Sequence, residues 1–111
     1  MMTQSELLQR VKESLQALYG PRFRGLVLYG STARGDAGED SDIDLLCLLE
    51  GPVSLWREIQ NTTRAVYDIA LSLIDENGGY RPINIVPVEA SSYEAGSCGF
   101  YREALREGVL V

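Results

Sequence analysis

Apolar residues recur at two intervals along this chain of 111 residues, and these intervals predict its helices and strands. From Thr3 to Tyr19, leucine and valine return every three or four residues, which is typical of a helix with one buried face. Thr3 and Glu6 have the spacing of a capping box, and Gly20 with the following proline stops the pattern. The chain is therefore predicted to open with an amphipathic helix.

Two apolar strands and a second long helix are predicted next. Residues 24–29 form a short apolar run, and residues 42–49 form a longer, leucine-rich run that indicates a mostly buried strand. After a break at Gly51-Pro52, residues 55–76 show helical spacing, with Ser54 in the N-cap position. We expect Trp56 to pack at the edge of this helix's buried face; the alternative is that it marks a surface for a partner.

The last third of the chain begins with a predicted strand over residues 82–88. Residues 93–101 are interpreted as a loop whose aromatic side chains fasten a final helix to the sheet; alternatively, Tyr93, Phe100 or Tyr101 contacts a ligand or a partner. The order α-β-β-α-β-α predicts an α/β (α+β) fold, a small mixed β-sheet backed by helices. At this length we expect one domain over residues 1–111.

Composition excludes several classes of function. The sequence holds no histidine, which removes Ser-His-Asp and Cys-His catalysis and imidazole metal sites. A net charge of −6 argues against binding long nucleic acid and better suits a small-molecule acceptor or a basic protein partner. Cys47 and Cys98 have neither zinc spacing nor a disulfide framework. We see no signal peptide and no membrane span, so we expect a cytoplasmic protein; a homo-oligomer is left open.

A glycine-serine turn follows the first predicted strand. Gly30 lets a phosphate approach the backbone, and Ser31 can cap a short helix whose free N–H groups attract anions. Arg34 either contacts a polyphosphate or pairs with an acidic neighbour such as Asp36. The turn therefore predicts a phosphate site.

Two aspartates begin the second predicted strand. Asp42 and Asp44 are two residues apart, so they share a face of the strand at a separation of roughly 6.6 Å. At an effective dielectric constant near 20, two negative charges at that distance repel by about 2.5 kcal/mol. The alternative interpretation is that the pair only begins the strand in solvent. Because Mg²⁺ takes one or two carboxylates together with substrate phosphates, the pair and the Gly-Ser turn together predict a site for a nucleoside triphosphate and Mg²⁺.

The combined motifs resemble the signature of the DNA polymerase beta-type nucleotidyltransferase superfamily, and the length and order of elements resemble its minimal nucleotidyltransferase (MNT) group. The motifs are Gly30-Ser31, Ala33-Arg34-Gly35 and Ser41-Asp42-Ile43-Asp44. The resemblance implies a nucleotidyltransferase fold with a C-terminal helix over residues 100–110. It also implies transfer of a nucleoside monophosphate from an NTP, with ATP as the expected donor, to an acceptor with release of pyrophosphate.

The resemblance also implies roles for individual residues and a partner. Asp42 and Asp44 are the expected catalytic metal ligands, and Gly30 and Ser31 the expected triphosphate contacts, with Arg34 offsetting charge. MNT proteins are often the antitoxin half of a toxin–antitoxin pair, so a HEPN-domain protein is the implied partner and one of its hydroxyls the implied acceptor.

One departure from the family pattern concerns a third carboxylate that active members carry on a later strand. Here the polar position of that strand is Asn84, while Glu89 and Asp68 can substitute only if the fold brings them close. Two hypotheses follow. The chain is an Mg²⁺-dependent nucleotidyltransferase, or it is a catalytically weak or inactive nucleotide-binding module that neutralises its partner by contact.

Overall fold

The computed structural model describes residues 3–30, 42–72 and 82–111. Helix α1 (Gln4–Tyr19) begins where the Thr3 hydroxyl accepts a hydrogen bond from the Glu6 backbone N–H at 3.1 Å, which confirms the predicted cap. A short 3₁₀ turn (Gly20–Arg22) leads from this helix into the sheet.

The sheet has four strands in the order β3-β2-β1-β4. They are β1 (Phe23–Tyr29), β2 (Ile43–Leu49), β3 (Ile83–Glu89) and β4 (Val109–Leu110). Strand β1 is antiparallel to β2 and to β4, whereas β2 and β3 are parallel. The predicted mixed sheet is confirmed, and its two central strands are β1 and β2.

Three further helices complete the described elements: α2 (Leu55–Leu71), α3 (Ala90–Glu94) and α4 (Gly99–Glu107). Helix α2 begins as expected, although Ser54 makes no side-chain capping bond, and the predicted residues 73–76 lie outside the described part of the chain. The loop predicted over residues 93–101 is shorter in the structure, because α3 includes Tyr93 and Glu94 and α4 already begins at Gly99. Among the described helices, none is long and apolar enough to cross a membrane.

The final helix is shorter than predicted, because residues 109–110 pair with β1 instead of continuing it. Helix α4 ends at Glu107, and Gly108 has an extended backbone (φ −73°, ψ 156°) that turns the chain into β4. A Cβ on Gly108 would lie 2.7 Å from Val27 Cγ1, so only glycine fits this close passage over β1. Pairing with a distant strand therefore overrides the local helical preference.

Both faces of the sheet are buried, which explains why β2 is apolar at nearly every position. Alternate side chains enter two separate cores. One core, under α1 and α2, holds Leu26, Leu28, Ile43, Leu45, Cys47 and Leu49; the other, under α3 and α4, holds Val27, Leu46, Leu48, Val88 and Ala104. A side chain's face on β2 thus decides which helices it meets.

The aromatic residues of the third segment pack as the sequence interpretation favoured. Tyr93 is buried, and its ring lies edge-on to Tyr101 with centroids 6.1 Å apart. Phe100 lies edge-on to Tyr29 at 5.5 Å, so these rings fasten α4 to the sheet. The prediction for Trp56 is wrong, because its side chain is 77% exposed and does not pack at the edge of the core.

A buried carboxylate joins α1, the 3₁₀ turn and α2. Glu58 accepts hydrogen bonds from the Tyr19 hydroxyl (3.1 Å), the Arg22 guanidinium (3.3 Å) and the Asn61 amide (3.1 Å). Burial opposes ionisation of Glu58, but these hydrogen bonds and the Arg22 charge outweigh it and lower the pKa of the carboxyl. Glu58 therefore stays ionised and ties the first two helices together.

Candidate active site

The two predicted aspartates lie at one end of the sheet and meet a single side-chain amide. Asp44 is the second residue of β2 and is paired with Tyr29 on one side and with Asn84 on the other. The Asn84 Nδ2 donates to Asp44 Oδ1 at 3.1 Å and to Asp42 Oδ2 at 3.3 Å. The parallel register of β2 and β3 thus gathers the two carboxylates and the amide at one point.

Gly30 lies directly against this group, as a result of its backbone conformation. Its φ of +78° is in the left-handed region that favours glycine. A Cβ at this position would lie 2.9 Å from Asp44 Oδ2, a separation that real Cβ atoms essentially never show. Gly30 therefore lets the backbone at the end of β1 pass beside the Asp44 carboxylate. Its role as a phosphate contact stays a prediction.

Two predicted site residues, Ser31 and Arg34, lie outside the described residues. Their roles as phosphate contacts stay predictions. The described neighbour Gly30 places the start of that turn beside Asp44.

The third position of the group is an amide, as the sequence analysis expected. Asn84 lies opposite Asp44 in the register, whereas Glu89 lies opposite Leu49 at the other end of β3, about 16 Å away at the usual strand rise. Glu89 accepts a hydrogen bond from Ser91 there. Within the described segments, no three acidic, histidine or cysteine side chains cluster closely enough to hold a metal, so neither Glu89 nor Asp68 completes the pair.

The donor set nevertheless fits a hard divalent cation. Both aspartates point an oxygen at the same N–H₂ group, so the site already holds a positively polarised group between two carboxylates. Mg²⁺ prefers oxygen ligands, and one or two carboxylates are its usual share from the protein. Rotation of the Asn84 amide would exchange its donor nitrogen for an oxygen, which could then serve as a third, neutral ligand.

A cleft of about 190 Å³ opens beside Gly30, between the end of β1 and α4. It is lined by Tyr29, Gly30, Phe100, Glu103, Ala104 and Glu107. Burial, and then the charge of Asp44, raise the pKa of the Tyr29 hydroxyl, so this residue is a neutral phenol at the cleft wall. The cleft gives a second molecule access to the position next to Gly30.

The sequence interpretation gave ligand contact by Phe100 only as the alternative to packing, and it missed Tyr29, Glu103 and Glu107. Tyr29 immediately precedes the Gly-Ser turn, which was an available signal. The two glutamates are four residues apart on α4 and so share a side of that helix. Only the crossing of α4 over the end of β1 brings them to the site.

Comparison with known families agrees with this arrangement. Residues 8–109 match the model of a family described as a nucleotidyltransferase domain. Two curated relatives from Methanocaldococcus jannaschii are named "Putative protein adenylyltransferase". MJ0126 is 32% identical over 79 residues, which cover 69% of this chain and 79% of the relative. MJ0604 is 38% identical over 78 residues, which cover 68% of this chain and 76% of the relative.

Solved structures share the fold. A structure described as a "putative nucleotidyltransferase" from Sulfolobus solfataricus superposes with a TM-score of 0.60 at 21% identity, covering 96% of this chain and 80% of the other. A toxin–antitoxin structure with AMP-PNP superposes with a TM-score of 0.54 at 16% identity, covering 92% of this chain and 69% of the other. At these identities the likeness concerns the fold alone.

Proposed function

The chain belongs to the nucleotidyltransferase domain family, and we propose that it transfers AMP from Mg²⁺·ATP to a hydroxyl of a partner protein, a HEPN-type toxin. In this proposal the acceptor oxygen forms a bond to the α-phosphorus of ATP. The bond from that phosphorus to the bridging oxygen breaks, pyrophosphate leaves, and the hydroxyl proton passes to solvent. The observation that carries the proposal is the convergence of Asp42 and Asp44 on one point beside Gly30.

Asp42 and Asp44 are the proposed ligands of the cation, with the Asn84 carbonyl as a third. A divalent cation bound there neutralises triphosphate charge and aligns the reacting groups for in-line displacement. Gly30 lies against Asp44, and without a Cβ it leaves room for a phosphate to approach its backbone. Ser31 and Arg34 are assigned to the triphosphate on the motif alone.

ATP and a protein acceptor are supported by the relatives' names. The M. jannaschii proteins are named as protein adenylyltransferases, and one structural neighbour is a toxin–antitoxin structure with AMP-PNP, an ATP analogue. The acidic net charge of −6 suits a basic partner. Glu103 and Glu107 extend that acidity to the wall of the cleft through which an acceptor segment would enter.

The nucleotide site is tested by thermal unfolding. We expect Mg²⁺ with ATP to raise the Tm of the native chain, and the paired substitution Asp42→Asn with Asp44→Asn to abolish the rise. Glu89→Gln is the matched control, because it removes one carboxylate at the other end of the neighbouring strand. Absence of a shift in the native chain at millimolar Mg²⁺·ATP would contradict the proposed site.

Turnover is tested separately from binding. The chain is incubated with the co-purified partner and labelled ATP, and the partner is examined by mass spectrometry for an added AMP. A modified partner, lost with the Asp42→Asn and Asp44→Asn pair, supports the enzyme. If ATP raises the Tm but the partner stays unmodified in a stable complex, the result supports the second function, a nucleotide-binding module that neutralises its partner by contact. Asn84 in the third position favours this second function.

A further inference from the structure

The outer side of α2 carries an exposed stripe with large apolar residues at both ends. Trp56, Gln60, Thr63, Tyr67 and Leu71 follow at intervals of four, three, four and four residues. At 3.6 residues per turn they lie within about 80° of one another around the helix. All five are exposed, Trp56 at 77% and Tyr67 at 58%. We call these five residues the α2 stripe.

The α2 stripe points away from the sheet. The buried residues of the helix, which include Val66 and Ile69, lie on the opposite side and enter the core beneath α1 and α2. The active-site aspartates share the other face of the sheet, with Leu46 and Leu48. A molecule bound to the α2 stripe therefore leaves the active site open.

Three charged residues flank the α2 stripe on one side. Arg57, Arg64 and Asp68 lie about 80–120° around the helix from Trp56, and all are exposed. In the described part of the chain, none of these three side chains has an ion pair or hydrogen bond. By contrast, Arg22 pairs with Glu58 within the chain. The flank thus offers unpaired charges of both signs beside an apolar surface.

The pattern is self-complementary about Thr63. If two α2 helices pack antiparallel with a twofold axis beside Thr63, Trp56 lies opposite Leu71 of the second copy. The same axis brings Arg57, six residues before Thr63, near Asp68, five residues after it. In such a pair, equivalent flanks of the two helices face each other, so both Arg57–Asp68 contacts form. The two Arg64 side chains meet near the axis and must turn toward solvent to avoid each other. The small Thr63 at the centre lets the helices approach to the usual 8–10 Å.

We infer that α2 is a homodimer interface, in which two copies of this chain pair antiparallel through the α2 stripe. The apolar ends place the twofold axis at position 63.5 and the charged pair places it at position 62.5. This agreement to within one residue favours a second copy over an unrelated partner. A 17-residue helix is about 25 Å long, and one such pair buries less than the roughly 800 Å² per partner of a standard interface. We therefore expect a dimer with a Kd on the order of 10–100 μM.

Self-association is measured by sedimentation equilibrium of the full chain between about 1 and 300 μM. The monomer mass is 12.3 kDa, and we expect the average mass to approach twice that value at the upper end. Trp56 is the one tryptophan in the sequence, so its emission reports the same surface and shifts to the blue as the dimer forms. A monomer with solvent-exposed Trp56 emission at 300 μM overturns the inference.

Charge reversal tests the symmetry of the contact. Arg57→Asp or Asp68→Arg alone should weaken the dimer about tenfold, because each change places like charges together at both symmetry-related contacts. The double variant should recover most of the native affinity, since the charges are exchanged but still opposite. Trp56→Ala should weaken the dimer by more than about thirtyfold, because it removes the largest apolar side chain at both ends of the symmetric contact.

The matched control is Arg10→Asp, the same charge change at an exposed position of α1, which should leave the dimer unchanged. A dimer that forms but is indifferent to Trp56→Ala and shows no recovery in the double variant contradicts the α2 interface. This inference does not rest on the proposed transfer reaction, and either can fail without the other.

Discussion

Asn84→Asp tests whether the amide's hydrogen bonds hold the two aspartates together. In the native chain Asn84 donates to Asp44 at 3.1 Å and to Asp42 at 3.3 Å. The substitution removes both bonds and adds a third negative charge. At about 4 Å, two unit charges repel by about 1 kcal/mol in water and about 4 kcal/mol at a dielectric constant of 20.

The site's exposure decides between these limits. Asp42 and Asn84 are exposed and Asp44 is half-buried, so the lower limit applies to each of the two new pairs. We expect a loss of about 2 kcal/mol at low ionic strength. At about 2.1 cal/mol/K of unfolding entropy per residue, this loss lowers the Tm by about 8 °C. Salt at 0.5 M should recover part of the loss by screening.

A bound cation should offset most of the lost stability. A third carboxylate should bind Mg²⁺ or Mn²⁺ about tenfold more tightly, so a saturating cation should raise the variant's Tm by about 6 °C more than that of the native chain. Differential scanning fluorimetry with and without 10 mM cation measures both values. Asn84→Ala is the control, because it removes the hydrogen bonds without adding charge. An equal metal-induced shift in Asn84→Asp and the native chain would refute the assignment of these residues as a cation site.

Three further predictions follow from single contacts. Glu58→Gln should cost about 1–3 kcal/mol in urea unfolding at pH 7, and less at low pH. The folded state lowers the pKa of Glu58 from its ordinary value of 4.5. The stability that ionised Glu58 provides is therefore fully present above pH 4.5 and is lost as the pH falls through the folded-state pKa. A destabilisation by Glu58→Gln that is the same at every pH would contradict this. Gly30→Ala should abolish the Mg²⁺·ATP shift through its contact with Asp44, whereas Gly20→Ala, also at positive φ but with nothing within 4 Å, should lose only stability. An Ellman assay of the native chain should label Cys98 quickly and Cys47 only after unfolding, since burial, and then the charge of Glu58, raise the pKa of Cys47 to about 12.

Local patterns were sufficient to predict most strands and helices. The apolar run of β2 and the cap at Thr3 are properties of neighbouring residues, and both were predicted. Strand β4 has two residues and is defined only by pairing with Val27 and Leu28, so no local pattern identifies it. The Trp56 prediction was wrong because helical spacing indicates a shared side of the helix but does not indicate what covers that side.

The candidate site likewise has one part that local sequence predicts and another part that depends on tertiary contacts. Asp42 and Asp44 share a face because strand geometry requires it, and this could be derived from spacing alone. Their contact with Asn84 depends on the parallel register of β2 and β3, which joins residues 40 positions apart. The cleft depends on α4 crossing the end of β1, so its glutamates could not be assigned from sequence.

The Asn84 side chain is an amide and not a carboxylate, and this affects both the stability of the site and its capacity for turnover. Its N–H₂ group satisfies both aspartates when no cation is bound, so the ligand pair is held in place at little electrostatic cost. The same amide cannot accept a proton, so it cannot act as a general base toward an acceptor hydroxyl. With no base at this position, the proposed route for the hydroxyl proton is to solvent, and transfer should rise with pH. Asn84→Asp supplies the missing base, so faster AMP transfer in that variant supports an enzyme limited by proton removal. If the variant binds the metal more tightly but still transfers no AMP, the result supports the binding module.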